Sequence, residues 1–203
     1  MARTRSEDYD VKRRLILDKA AALFAERGFR TASLLELARA CNGSKSWIYH
    51  YYPSKEAILY DILSDHMTTL LETAERGLAE TREPRSQLRS LLRGFLEIYA
   101  QARSRHKVLL NDLHNLAEEQ QSEIVDLERR VVDIVVALLS RLNPKLMAEP
   151  DLGKPVAMML FGAINWTYTW YRPDGPVSPE RFADLAADVF LNGLLAANAR
   201  SGR

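Results

Sequence analysis

Apolar residues recur every three or four positions along almost the whole chain, the spacing of helices that bury one face. Residues 10–27 place Val11, Leu15, Ile16, Ala20, Leu23 and Phe24 on one side, and Gly28 is suited to end that helix in a left-handed conformation. Ser33 and Glu36 have capping-box spacing, which predicts a short second helix with Leu34, Leu37 and Ala38 turned inward. Cys41-Asn42-Gly43 supplies a tight turn, because Asn and Gly both tolerate positive φ. Ser44 then caps a third helix over residues 45–52, which Pro53 stops. Ser54 caps a long fourth helix to about residue 80, striped by Ile58, Ile62, Leu63, Met67, Leu70, Leu71 and Ala74.

Pro84 reads as a chain break, after which Leu88, Leu91, Leu92, Phe95, Leu96, Ile98 and Tyr99 mark a fifth helix. A short helix is expected near residues 108–116 and a longer one over 119–142, ended by Asn143-Pro144. Residues 149–155 read as loop, 156–171 as a helix apolar on all sides, and 172–177 as a second loop. Ser178 and Pro179 open the last helix. Strand periodicity is absent, so the expected class is all-α with about nine helices.

Composition narrows the function. At 203 residues, 47% hydrophobic and 27% charged, the chain can bury a core without staples. Its single cysteine, Cys41, excludes an intramolecular disulfide and a multi-cysteine metal site, and fits a reducing cytoplasm, the expected location. No apolar run approaches the ~20 residues of a membrane span, and residues 1–10 lack the apolar stretch of a signal peptide. Four histidines (His50, His66, His106 and His114) form no i, i+4 pair, so no metal is expected. Nucleophile-elbow, P-loop and dinucleotide motifs are missing, and the expectation is a protein that is not an enzyme and has no cofactor. The net charge of +1 conceals an asymmetry. Residues 1–60 hold eleven Lys/Arg against seven Asp/Glu, and the remainder seventeen against twenty. A basic front on a slightly acidic body points to an anionic partner for the front.

Two short helices joined by a three-residue turn form the arrangement that reads DNA. On a wheel of ~100° per residue, with Ile48 turned to the core, Ser46 and His50 point outward. Trp47 and Tyr49 then lie on the shoulders, Lys45 and Tyr51 at the edges, and Ser44 and Tyr52 beside Ile48. Such a face hydrogen-bonds base edges and meets thymine methyls with aromatic surface. Four aromatics within six residues are too many for the buried side of a two-turn helix. Tyr51 and Lys55 sit where groove walls bring phosphates, and Thr31 and Ser33, opening the second helix, are phosphate candidates too.

The run Leu37-Ala-Arg-Ala-Cys-Asn-Gly-Ser-Lys-Ser-Trp-Ile-Tyr-His-Tyr-Tyr-Pro-Ser-Lys-Glu-Ala-Ile-Leu59, with Phe24-Ala-Glu-Arg-Gly-Phe29 before it, resembles the helix-turn-helix of the TetR/AcrR family of bacterial transcriptional regulators. The resemblance implies an N-terminal three-helix reader over residues 1–55 and a helical effector-binding and dimerisation domain over 56–203. It implies Lys45, Ser46 and Trp47 as sequence readers, and Tyr49, Tyr51 and Lys55 as phosphate or groove contacts. One departure stands out: the family's turn is small-Gly-apolar, and here Asn42 takes the left-handed place and Gly43 lacks the apolar anchor. Such a regulator, a repressor in the commonest form, binds a palindromic operator as a homodimer and is released by a small-molecule effector.

The last helix carries Phe182, Leu185, Ala186, Val189, Phe190, Gly193, Leu194 and Ala197 at helical spacing. The all-round apolar helix before it needs cover from more than one side, which a second copy of the same helix pair supplies as a four-helix bundle. Gly162, Ala163, Ala186, Val189, Phe190, Gly193 and Ala197 are the expected dimer contacts. Asn165-Trp-Thr-Tyr-x-Trp-Tyr171 before a Pro-Asp-Gly loop, and Leu109-Leu-Asn-Asp-Leu113 with His114, are similar to the acyl-CoA-responsive branch of the family. That resemblance implies a CoA thioester effector. An apolar slot would draw on Leu92, Leu96, Leu110, Leu113 and Trp166, with Arg103, Arg105, Lys107 or Arg172 meeting phosphates, and with His114, Asn165 and Trp170 beside them. The alternative is a helical acyl-CoA-binding protein or enzyme with a vestigial DNA-binding module.

Overall fold

The computed structural model describes residues 2–197, with side chains from Asp8 onward; Arg3, Arg5 and Glu7, counted in the basic front, lie outside the described side chains. Eleven α-helical segments are found among the described residues: α1 (Ala2–Arg27), α2 (Leu34–Ala40), α3 (Lys45–Tyr51), α4 (Lys55–Ala79), α5 (Pro84–Gln101), α6 (Arg103–Asp112), α7 (Glu118–Leu142), α8 (Pro144–Met147), α9 (Gly153–Asn165), α10 (Thr167–Trp170) and α11 (Pro179–Ala196). A 3-10 turn, Leu113–Asn115, follows α6. Leaving aside the four-residue α8 and α10, nine helices remain, as the periodicity predicts.

Most helix ends follow their predicted caps. Ser33 Oγ accepts from Glu36 N at 3.2 Å while Glu36 Oε2 accepts from Ser33 N at 2.9 Å, which satisfies two otherwise unpaired donors. Ser44, Ser54 and Ser178 cap α3, α4 and α11 in the simpler way. Gly28 has φ +79° and donates its N–H to Phe24 O at 2.8 Å, closing α1.

Other boundaries differ from expectation. The first helix begins at Ala2, eight residues ahead of its predicted start. Its described turns before Ile16 have little core to bury: Val11 and Leu15, expected inside, are 67% and 39% exposed, and the buried stripe is Ile16, Leu17, Ala20, Ala21 and Phe24. Pro84 opens α5 instead of breaking the chain, since the first helical position needs no N–H, and the Glu83 carboxylate accepts from Arg85 N and Ser86 N. The expected loop at 149–155 gives way to helix from Gly153. The predicted helix over 156–171 is interrupted at Trp166, where the Thr167 hydroxyl donates back to Ile164 O at 2.6 Å and the Thr169 hydroxyl to Trp166 O at 2.7 Å.

The chain folds into two compact units. One comprises residues as far as Met67 together with Ser104–Ile124; the other comprises Thr68–Arg103 and the described residues from Val125 on. Ile58, Leu59, Ile62 and Leu63 of α4 are fully buried and belong with the helix-turn-helix, and so does most of α6. Long-range bonds explain why α6 joins them: Arg105 pairs with Asp18 at 2.8 Å, and the buried rings of His66 and His106 meet Nε2 to Nδ1 at 3.2 Å.

The second unit is built on α5 and α11. Leu88, Leu91, Leu92, Phe95 and Leu96 are buried on α5, and Ala183, Ala187, Leu191 and Leu194 on α11. The two alanines are short, which lets the helix axes approach. Arg93 clasps Asp184 with two bonds of 2.9 Å, and Arg89 pairs with Asp188 along the same seam. Phe95 stacks on Tyr99 and tilts against Phe161 of α9 at 6.1 Å.

Candidate nucleic-acid interface

Helix α3 is anchored by one residue. Ile48 is fully buried, Tyr52 is 4% exposed just past the helix end, and Lys45, Ser46, Tyr49 and His50 are exposed. This is the orientation expected from the wheel. Burial next to Asp61 pushes the Tyr52 phenol up, so that ring serves the core and stays neutral. Asn42 adopts φ +54°, the left-handed conformation expected of it. The missing anchor at Gly43 is replaced by the Trp47 ring, which lies so close that a Cβ on Gly43 would fall 2.8 Å from Trp47 Cε3. Trp47 is thereby half-buried and leans on the turn.

Tyr51 is the hub of an aromatic cluster. Trp47 and His50 meet it edge-on at 5.1 and 5.2 Å between centroids, and Tyr9 of α1 lies against it at 4.8 Å with ring planes 30° apart. Lys45 Nζ lies 5.7 Å from the Tyr49 ring centroid. The resulting surface presents hydroxyls, an imidazole, a cation and ring faces on one short helix.

Lys55 and Ser33, expected at the DNA backbone, are engaged within the chain. Lys55 Nζ donates to the carbonyls of Phe29, Arg30 and Ala32 at 2.7, 3.3 and 2.9 Å and sits over the Phe29 ring at 4.4 Å. An ammonium has three protons, and in this geometry all three are taken up by the α1–α2 turn. Ser33 spends its hydroxyl in the capping box. Thr31 stays exposed beside it. The same turn is gripped from the other side: Asp112 Oδ1 accepts from Phe29 N at 3.4 Å, and Asn115 Oδ1 accepts from Arg30 Nε at 2.9 Å. Nothing in the spacing of residues 29–32 and 112–115 announces these contacts, nor the His66–His106 pair. Among the described residues, no group of three or more metal-binding side chains is present.

The candidate effector residues divide between the units. Leu110 and His114 are exposed and Leu113 half-buried in the first unit. In the second, Leu92 and Leu96 lie in the core, Asn165 Oδ1 accepts from the Tyr99 hydroxyl at 2.8 Å, and Arg103 Nε donates to Tyr168 O at 2.7 Å. Arg105 pairs with Asp18 at 2.8 Å. Trp166 and Trp170, at and after the break in the helix, are 62% and 55% exposed. Arg172 is exposed in the loop that follows. Of the expected dimer contacts, Gly162, Ala163, Val189 and Gly193 are exposed and Ala186, Phe190 and Ala197 partly so. Met158, Met159 and Leu185 extend these apolar strips at 47%, 71% and 56% exposure.

Residues 16–62 match the family described as bacterial regulatory proteins, tetR family, and residues 81–194 match the tetracyclin repressor-like C-terminal domain. The chain belongs to the tetR family. This tetR-family regulator is 41% identical to a TetR-family transcriptional regulator of known structure from Bordetella parapertussis, at TM-score 0.86 over 92% of this chain and 97% of that one. It is 25% identical to the HTH-type transcriptional repressor KstR2 of Rhodococcus jostii over 90% of this chain and 91% of that protein. The structure of AibR in complex with isovaleryl coenzyme A and operator DNA is similar at TM-score 0.76 and 25% identity, over 88% of this chain and 97% of that one. No helix of the described residues is long and apolar enough to cross a membrane.

Proposed function

We propose that this protein is a ligand-responsive repressor that binds a palindromic operator as a homodimer and is released by an acyl-CoA thioester. The observation that carries the DNA half is the exposed polar and aromatic face of α3 around Tyr51, held on a fully buried Ile48. Lys45, Ser46, Trp47 and His50 read base edges; Thr31, Ser44, Tyr49 and Tyr51 meet the backbone. Lys55 acts at one remove, by holding the α1–α2 turn. Two-fold pairing follows from the exposed strips on α9 and α11, which a second copy covers, and from half-site geometry. AibR, bound to isovaleryl coenzyme A in its structure, supports the effector class. An effector releases DNA only by binding one of two conformations more tightly.

Calorimetric titration of CoA esters into the protein, alone and with its promoter duplex, tests the whole reading. Expected are duplex binding, saturable uptake of one acyl-CoA class, and weaker duplex binding once that ester is present. Acyl-CoA turnover without any duplex binding would favour the enzyme alternative, and duplex binding indifferent to every ester would remove the CoA effector.

A further inference from the structure

The described turns of α1 ahead of Ile16 are a helix without a core. Val11 is 67% exposed, Asp8 and Asp10 are exposed, and burial repays little of the ordering entropy there. Tyr9 of this stretch reaches α3, and Arg13 lies over the Tyr52 ring just past its end at 5.8 Å. Tyr9, 40% exposed, lies against the Tyr51 ring at 4.8 Å and 30°, while Trp47 and His50 meet the same ring at interplanar angles of 60° and 90°. Tyr51 sits at the last position of α3, where no following turn restrains it. Without Tyr9 one face of the ring is open and the side chain is free to change rotamer.

We propose that Tyr9 is a positioning residue for DNA binding: it fixes the Tyr51 ring against the duplex, and α1 extends beyond its core to deliver it. The inference rests on the operator-binding reading above. Preorganising a contact side chain raises affinity by removing the ordering cost from the binding step. Offset aromatic pairs of this geometry correspond to about a three- to tenfold effect.

The test uses the full chain and a duplex that the wild-type protein enriches from a random 30-base-pair pool, titrated by fluorescence anisotropy. Tyr9→Ala is expected to weaken binding about three- to tenfold with unchanged far-UV circular dichroism, and Tyr9→Phe to restore it, since the ring and not the hydroxyl does the positioning. Tyr9→Ala/Tyr51→Ala is expected to bind no worse than Tyr51→Ala, because the two residues act through one contact. Wild-type affinity in Tyr9→Ala overturns the proposal, as do additive losses in the double variant. A Tyr9→Phe variant as weak as Tyr9→Ala overturns it too, by placing the hydroxyl itself on DNA. A loss of helicity in Tyr9→Ala that Tyr9→Phe repairs, with affinity per folded molecule unchanged, reassigns Tyr9 to stability. A wild-type protein that enriches no duplex sinks the operator reading along with this one.

Discussion

Two stretches of this chain look alike on paper and fold to different ends. Trp47, Tyr49, Tyr51 and Tyr52 cluster in the first unit, and Trp166, Tyr168, Trp170 and Tyr171 in the second. In the first, one continuous helix sorts the rings: Tyr52, just past its end, goes to the core beside Ile48, Trp47 meets Tyr51, and Tyr49 is exposed beside Lys45. In the second, the helix is interrupted, threonine hydroxyls bond back to the main chain, and both tryptophans are turned outward. Trp170 and Tyr171 settle instead around Phe182, at 5.5 and 4.8 Å. A count of aromatics therefore signals a surface with work to do. The backbone around them decides whether the rings pack on one another at a helix surface or stand exposed beside an interrupted one.

The comparison breaks most severely at its anchor. Ile48→Ala leaves a cavity beneath α3 and is expected to lower stability by about 2–5 kcal/mol in denaturant titration. A loss well under 1 kcal/mol would mean that α3 is held by something other than its buried isoleucine. Lys55→Ala comes next, at about 1.5–3 kcal/mol, because three turn carbonyls lose a charged donor. The slope of operator affinity against salt should stay as in wild type; a slope shallower by about one would return Lys55 to the phosphate contacts.

A pH effect follows from the paired histidines of the first unit. Burial, with Arg105 nearby, holds His66 at about 4, and burial with His66 holds His106 at about 3, against an ordinary 6.5. The unfolded chain therefore takes up protons first as pH falls below 6.5. Stability is full above that value and declines toward pH 4, by up to about 1.4 kcal/mol per pH unit for each ring. His66→Phe combined with His106→Leu should flatten that decline in denaturant midpoints measured between pH 7 and 5; an equally steep decline would assign it to carboxylates. The smallest change in protomer stability is expected at the second aromatic cluster. Trp166→Lys touches an exposed ring and should cost under about 0.5 kcal/mol in the protomer. Sedimentation of the same variant locates the ring's partner: a weakened dimer adds Trp166 to the two-fold contact, and a dimer of undiminished strength leaves it to the effector.

The helices, their serine caps and the outward face of α3 were legible from residue order alone, because periodicity and capping are local. Ser33, Ser44, Ser54 and Ser178 each act within three residues of themselves. The all-α class, the helix-turn-helix and the left-handed Asn42 belong with them. What only the tertiary structure decided involves partners far apart along the chain. It diverted Lys55 into the α1–α2 turn, joined His66 to His106, set Tyr9 on Tyr51, and grouped α6 with the reader. Periodicity reports which side of a helix is apolar; it carries no information on which distant residue meets that side, and a polar side chain's partner is chosen by that meeting.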